Sequence, residues 1–169
     1  RRQPRAPPPH PPRPHVTATG PQGTQGPQRT VHHGDGIAFL RSARLPADHA
    51  VITSLPDTSE LPQLSFDEWR RWFIDTIALA CSTVDDSAVA LFYQTDIKRD
   101  GRYVDKGHLV MLGIDAAASH TLFHKIVCRV PPGTTTFGRP AYAHLIAASR
   151  THTLHPGAST PDVLPALGK

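Results

Sequence analysis

The chain has 169 residues with 18 basic and 14 acidic side chains, a net charge of +4, and room for one hydrophobic core. No apolar run approaches the length of a membrane span, and the N-terminus lacks the apolar centre of a secretory signal, so a soluble chain with no membrane partner is expected. Only Cys81 and Cys128 are present, too few for a disulfide scaffold. One falls in an expected helix and the other in an apolar strand, as buried free thiols of a reducing, cytoplasmic setting do.

Residues 1–30 hold nine of the eighteen prolines, five arginines and no acidic residue. Such a segment cannot bury enough apolar surface to offset its conformational entropy. It is expected to be a disordered, Pro/Arg-rich tail with local polyproline II character, dispensable for folding. The remaining 139 residues then sum to −1, but unevenly: residues 31–97 carry four basic and ten acidic side chains, and residues 98–150 carry eight and three. A local positive face is therefore compatible with a near-neutral domain.

Ordered structure is expected from Gly34, where GDGIAFLRSARLP places Ile37, Phe39 and Leu40 on a short helix ended by Pro46. Ala50 to Thr53 form an apolar, β-branched run that predicts a fully buried strand breaking into Ser54-Leu55-Pro56-Asp57. Ser65 stands three residues before Glu68, a capping box, and Phe66, Trp69, Phe73, Ile77 and Ala80 follow at helical spacing. The helix is expected over residues 66–82. Val89 to Tyr93 read as a second buried strand, closed by a KRDGR loop, and Asp105 to about Ser119 as another helix. TLFHKIVCRV and AYAHLIAAS supply two more strands around a PPGTTTFGRP loop, and residues 151–169 read as a linker. Strands alternating with helices and closing in a hairpin pair indicate an α/β fold over residues 34–150.

The most informative feature is the Ser54–Asp57 run, since open α/β sheets bind ligands in the crevice at the carboxyl ends of their strands. Together with Gly34-Asp35 and the short helix between, the segment resembles the β-type class I methyltransferases that modify cytosine N4 or adenine N6 in DNA. In that family a Gly-Asp motif, a short helix and an apolar strand lead into Ser-Pro-Pro-Tyr or a variant, in permuted order with the catalytic motif first. The resemblance extends over residues 34–150 and implies a Rossmann-like methyltransferase sheet, S-adenosyl-L-methionine as methyl donor, and nitrogen of a nucleic-acid base, in DNA or RNA, as acceptor. It implies that the Ser54 oxygen and the Leu55 carbonyl accept hydrogen bonds from the target amino group. Pro56 would stiffen the loop, and Asp35 and Thr53 would lie on the cofactor side, with Asp35 toward the adenosine. Two departures are specific: Leu55 replaces the first proline, and Asp57 stands where the family stacks an aromatic ring on a flipped base. Asp57 is read instead as a second hydrogen-bond acceptor or a base, which leaves a nucleotide or another small acceptor open. The family's Gly-rich turn, an aromatic or Asp-Pro-Phe followed by Gly-x-Gly, does not occur in these 169 residues. In permuted order it follows the last strands, so the chain is expected to be the catalytic-motif half of a longer enzyme.

Asp96, with Gln94, ends the second strand on the same side and is a candidate substrate contact, as is Arg139 for a phosphate. The eleven histidines show no metal-ligand spacing, so no metal is expected. Trp69 and Trp72 read as core against the sheet. A reading from another class remains beside the enzyme: a noncatalytic module, or an inactive methyltransferase fragment, that grips nucleic acid through the tail and the basic stretch from Lys98 to Arg150.

Overall fold

The computed structural model describes residues 30–165. The expected disorder of the tail, and the last residues of the expected linker, lie outside the described residues. The elements run α1 (Gly36–Ser42), β1 (Val51–Thr53), α2 (Phe66–Thr83), β2 (Ala90–Gln94), β3 (Ile97–Arg99), β4 (Arg102–Val104), α3 (Lys106–Ala116), β5 (His120–Cys128), β6 (Tyr142–Ser149) and β7 (Val163–Leu164). Among the described residues no helix is long and apolar enough to cross a membrane.

Five strands form one sheet in the order β1-β2-β6-β5-β7. β1 and β2 are parallel, β5 and β7 are parallel, and β6 runs antiparallel to both β2 and β5. Four strands thus share a direction and β6 alone opposes them. This is the α/β architecture that the alternation of strands and helices predicts, with β5 and β6 as the expected hairpin pair.

α2 forms because its capping box closes: the Ser65 side chain accepts from the Glu68 N–H, and the Glu68 carboxylate accepts from the Ser65 N–H. Its apolar stripe of Trp69, Phe73, Ile77 and Ala80 is buried against α3 and against Ala90, Phe92, Ile146 and Ala148 of the sheet. The two helices approach so closely that a Cβ on Gly113 would lie 2.5 Å from the Ile77 Cβ. Only glycine fits there. Trp72 is half-buried, packed against this cluster.

Three expectations change. The apolar run of the first strand predicts full burial, yet β1 sits at the sheet edge and Ile52 is 74% exposed. A continuous apolar run looks the same in a central strand and in an edge strand, but only the central one is covered on both sides. The KRDGR loop is in fact the turn of a separate hairpin, β3–β4, with Asp100 at φ 50° and Gly101 at φ 74°. Both central residues being left-handed is the geometry of a two-residue hairpin turn, for which Asp-Gly is a preferred pair. Val163 and Leu164, read as linker, add β7 beside Ile126 and Val127. Of the two cysteines, Cys81 is buried, its thiol pushed up to about 12 by burial, and Cys128 is only half-buried; both are free.

Candidate active site

The carboxyl ends of β1 and β2 lie side by side, because the two strands are parallel and in register from Val51↔Ala90 to Thr53↔Phe92. The chain leaving β1 turns at Asp57, where the Asp57 N–H donates to the Glu60 carboxylate at 2.7 Å and the Glu60 N–H returns to the Asp57 carbonyl at 3.0 Å. The loop is held from below by Trp69, whose indole N–H donates to the Pro56 carbonyl at 3.2 Å. Thirteen residues separate that pair in sequence, and the bond ties the motif to α2.

Ser54, Leu55 and Asp57 open into a polar cavity of about 480 Å³, whose far wall carries Lys106, Arg129 and Arg139. A smaller cavity of about 270 Å³ adjoins it, lined by Asp57, Thr95, Asp96, Lys98 and Arg139 among others. The structure therefore brings together Ser54, Leu55, Asp57, Asp96 and Arg139 of the sequence candidates. Pro56 is half-buried beneath them. Gln94 does not reach this cleft: it is 1% exposed, and neither amide atom has a hydrogen-bond partner among the described residues. Asp35 and Thr53 line neither cavity. Asp35 instead caps α1, one carboxylate oxygen accepting from the Ile37 and Ala38 N–H groups at 2.7 and 3.2 Å.

Sequence reasoning missed the groups behind the motif. The Lys106 ammonium lies 2.5 Å from the Asp57 Oδ1 and 5.5 Å from the centre of the Phe73 ring. The lysine side chain is 3% exposed and Asp57 30%, so a nearly buried cation faces a carboxylate that opens to the cleft. Asp96 lies at the centre of a second cluster. Its Oδ1 accepts from the Lys106 N–H at 2.8 Å and lies 3.0 Å from the His144 Nε2, and its Oδ2 accepts from the Tyr142 hydroxyl at 2.9 Å. His144 Nδ1 in turn meets His124 Nε2 at 2.8 Å. With Nε2–H directed at Asp96, His144 presents Nδ1 as an acceptor to the His124 N–H. Gly107 is required for this packing, since a Cβ there would come within 2.9 Å of His144 Nδ1.

Burial works to raise the Asp96 carboxyl, but the hydrogen bonds from His144, the Lys106 N–H and Tyr142 outweigh it and hold the group below the usual carboxylate range. Burial, with the Asp96 bond next in weight, pushes the Tyr142 hydroxyl up to about 12. Burial and the neighbouring His144 lower His124. A carboxyl depressed in the folded state contributes stability above its unfolded value, about 3.9, that is lost as pH falls through the folded value. Asp96→Asn is therefore expected to lower the urea midpoint at pH 7 and to flatten its fall toward about pH 3. A variant whose midpoint falls with pH as steeply as the wild type would show that Asp96 does not carry that dependence.

Asp96, Asp105 and His144 each bring one potential ligand atom within 4.8 Å of the others. A cation would have to displace the donors that already occupy both Asp96 oxygens, so the arrangement fits a polar network better than a metal centre.

No protein-family model matches the sequence, and no curated protein matches it. Solved structures do match the fold. The cytosine-N4-specific PvuII DNA methyltransferase aligns with a TM-score of 0.57 at 14% identity, over 78% of this chain and 55% of that one. A Thermus thermophilus protein assigned as a DNA modification methylase, solved with S-adenosyl-L-methionine, aligns at 0.54 and 12% identity over 78% and 65%. The M1.HpyAVI complex with the same cofactor aligns at 0.50 and 11% identity over 83% and 65%. The chain has the fold of these three proteins and spans between 55% and 65% of their length.

Proposed function

We propose that this chain forms the acceptor side of an S-adenosyl-L-methionine-dependent methyltransferase acting on an amino nitrogen of a nucleic-acid base. The observation that carries the reading is the position of Ser54-Leu55-Pro56-Asp57: it ends the first of two parallel strands and opens into a polar, cation-walled cavity in a sheet of amino-methyltransferase fold. The bound cofactor supplies an electrophilic methyl group; the protein's task is to present a nitrogen lone pair and receive the proton that nitrogen loses. The Ser54 hydroxyl and the Leu55 carbonyl accept the two amino N–H bonds and fix the direction of the lone pair. Asp57 Oδ1 is committed to Lys106, which leaves Oδ2 to accept the departing proton or a further N–H. Lys106 compensates the carboxylate and fixes its orientation, and Trp69 fixes the loop beneath through the Pro56 carbonyl.

Asp35 engages the α1 N-terminus through one oxygen; on this reading its second oxygen and Thr53 are the groups that would hold the adenosine portion of the cofactor. The Gly-rich turn that cradles the methionine end is not among the 169 residues. β1 has an unpaired outer edge among the described residues, and we assign that edge to a strand of a further segment carrying the turn. The chain by itself is expected to bind S-adenosyl-L-methionine more weakly than micromolar. Calorimetry on the 169-residue chain checks this, and micromolar affinity would overturn the division into halves. Transfer of labelled methyl groups to DNA, RNA and small-molecule extracts by the continuous reading frame tests the activity. Label that enters none of these sinks the proposed reaction.

A further inference from the structure

We propose that the β3–β4 hairpin is a phosphate clamp, so that the substrate is a nucleic-acid strand spanning several nucleotides and not a free nucleotide. The inference rests on the reading above for what occupies the cleft, but its own basis is the distribution of uncommitted charge. The hairpin is IKRDGRYV, and it stands between two cavities. On one side Lys98 joins Arg139 in the cavity that reaches Asp57. On the other, Arg99 and Arg102 join Arg70, Phe66 and Tyr103 around a cavity of about 600 Å³. Neighbouring strand residues point to opposite faces, and Lys98 and Arg99 line different cavities.

The carboxylates in these cavities are already engaged. Asp57 faces Lys106, Asp96 holds its three donors, Asp100 lies 3.4 Å from Arg99, and Asp105 accepts the His108 N–H as the cap of α3. Lys98, Arg102, Arg139 and Arg70 have no ion pair among the described residues. Their charge is available to an anion. The aromatic rings sort the ligand further. The Lys98 ammonium rests 4.9 Å over the Tyr103 ring, which is 60% exposed, and the Arg99 guanidinium 4.7 Å over Phe66. Cations beside the exposed Tyr103 ring along an extended element suit a strand that offers phosphates at regular spacing and bases between them. A peptide of carboxylates offers the charge without the flat faces. A strand whose target nucleotide sits over Asp57 would place that nucleotide's phosphate at Lys98 and Arg139 and the flanking phosphates beyond the hairpin at Arg102 and Arg70.

The test is fluorescence anisotropy with the full chain and labelled single strands of one, four and twelve nucleotides, in DNA and RNA, with duplex DNA and polyglutamate as further arms. Residues 1–30 are the same in every protein compared, so their contribution cancels between wild type and variants. Affinity is expected to rise with strand length. Lys98→Ala with Arg102→Ala is expected to weaken twelve-nucleotide binding more than about tenfold and to reduce the slope of log affinity against log salt by about 2, one per lost phosphate contact. Lys125→Ala, which removes a cation paired with Asp162, should leave both unchanged. The DNA, RNA and duplex arms identify the strand. Equal affinity for one and twelve nucleotides, an unaltered salt slope in the double variant, or equal binding of polyglutamate overturns the clamp. Methyl transfer to the twelve-nucleotide strand that ignores the double variant would also remove the clamp while leaving the activity. Clamp-dependent binding without any methyl transfer would do the reverse.

Discussion

Replacing Asp57 with alanine is expected to abolish methyl transfer by the complete enzyme and to cost about 3 kcal/mol of stability, two losses with separate origins. The stability loss comes from Lys106. Its ammonium is nearly buried and has Asp57 as its only carboxylate neighbour within ion-pair distance among the described residues, so truncation strands a charge that cannot return to water. The expected activity loss comes from the cleft, where the proposed reaction has the second Asp57 oxygen face the acceptor. Lys106→Met separates them. Methionine fills similar volume beside Phe73 without a charge to compensate, and the Asp57 it leaves behind is 30% exposed and can be hydrated. The double variant should therefore be more stable than Asp57→Ala alone and just as inactive, a coupling that a double-mutant cycle of urea midpoints measures directly. Affinity for the cofactor should stay close to that of the wild type in all three, because the proposed reaction has Asp57 on the acceptor side. Wild-type rates in Asp57→Ala would remove the aspartate from the reaction, and additive stability losses would show that the pair does not carry the energetics assigned to it.

The parts of this molecule legible in its sequence are those set by local chemistry. The capping box at Ser65 and Glu68 predicts a helix starting at Phe66, and α2 starts there and ends at Thr83, one residue past the expected end. The Ser54–Asp57 run is expected to follow a strand, and it leaves β1 at Thr53 and lines a polar cavity. The β3–β4 hairpin reads in the sequence only as a loop: Asp100-Gly101 is a two-residue turn signal, but short polar strands give no apolar alternation to reinforce it. The groups behind the motif are not legible. Asp96 meets Lys106, Tyr142 and His144 across separations of 10, 46 and 48 residues. Nothing in the spacing of those residues shows that His144 will lie opposite Gln94. Only the register of β2 against β6 places it there, and register follows from the packed sheet as a whole. Asp35 carries two readings side by side: the resemblance makes its Gly-Asp motif a cofactor contact, and the structure shows the aspartate as the cap of α1.

Trp69 carries the second large effect. It is fully buried, its ring 5.8 Å from that of Phe66 and 5.3 Å from that of Phe73, so Trp69→Ala is expected to cost about 3 to 5 kcal/mol through lost burial and the cavity left behind. That alone would make it a core residue. Its indole N–H, however, ends on the Pro56 carbonyl, in the peptide that joins Pro56 to Asp57 within the run assigned to the acceptor. Trp69→Phe isolates this bond: it keeps most of the aromatic packing and removes the donor. The phenylalanine variant should lose about 1 kcal/mol for the hydrogen bond, plus a smaller cavity contribution, and remain folded by near-UV circular dichroism. Its methyl transfer should nevertheless fall by more than its stability, because a loop released by a fraction of an ångström no longer aims the acceptor nitrogen. The fall should appear in kcat with KM for the acceptor little changed, since the contacts that hold the strand on the hairpin are untouched. If kcat tracks stability alone across Trp69→Phe and a matched core variant such as Ile77→Val, the tryptophan is packing and nothing more. If kcat drops out of proportion, the helix capped at Ser65 positions the catalytic loop through one hydrogen bond.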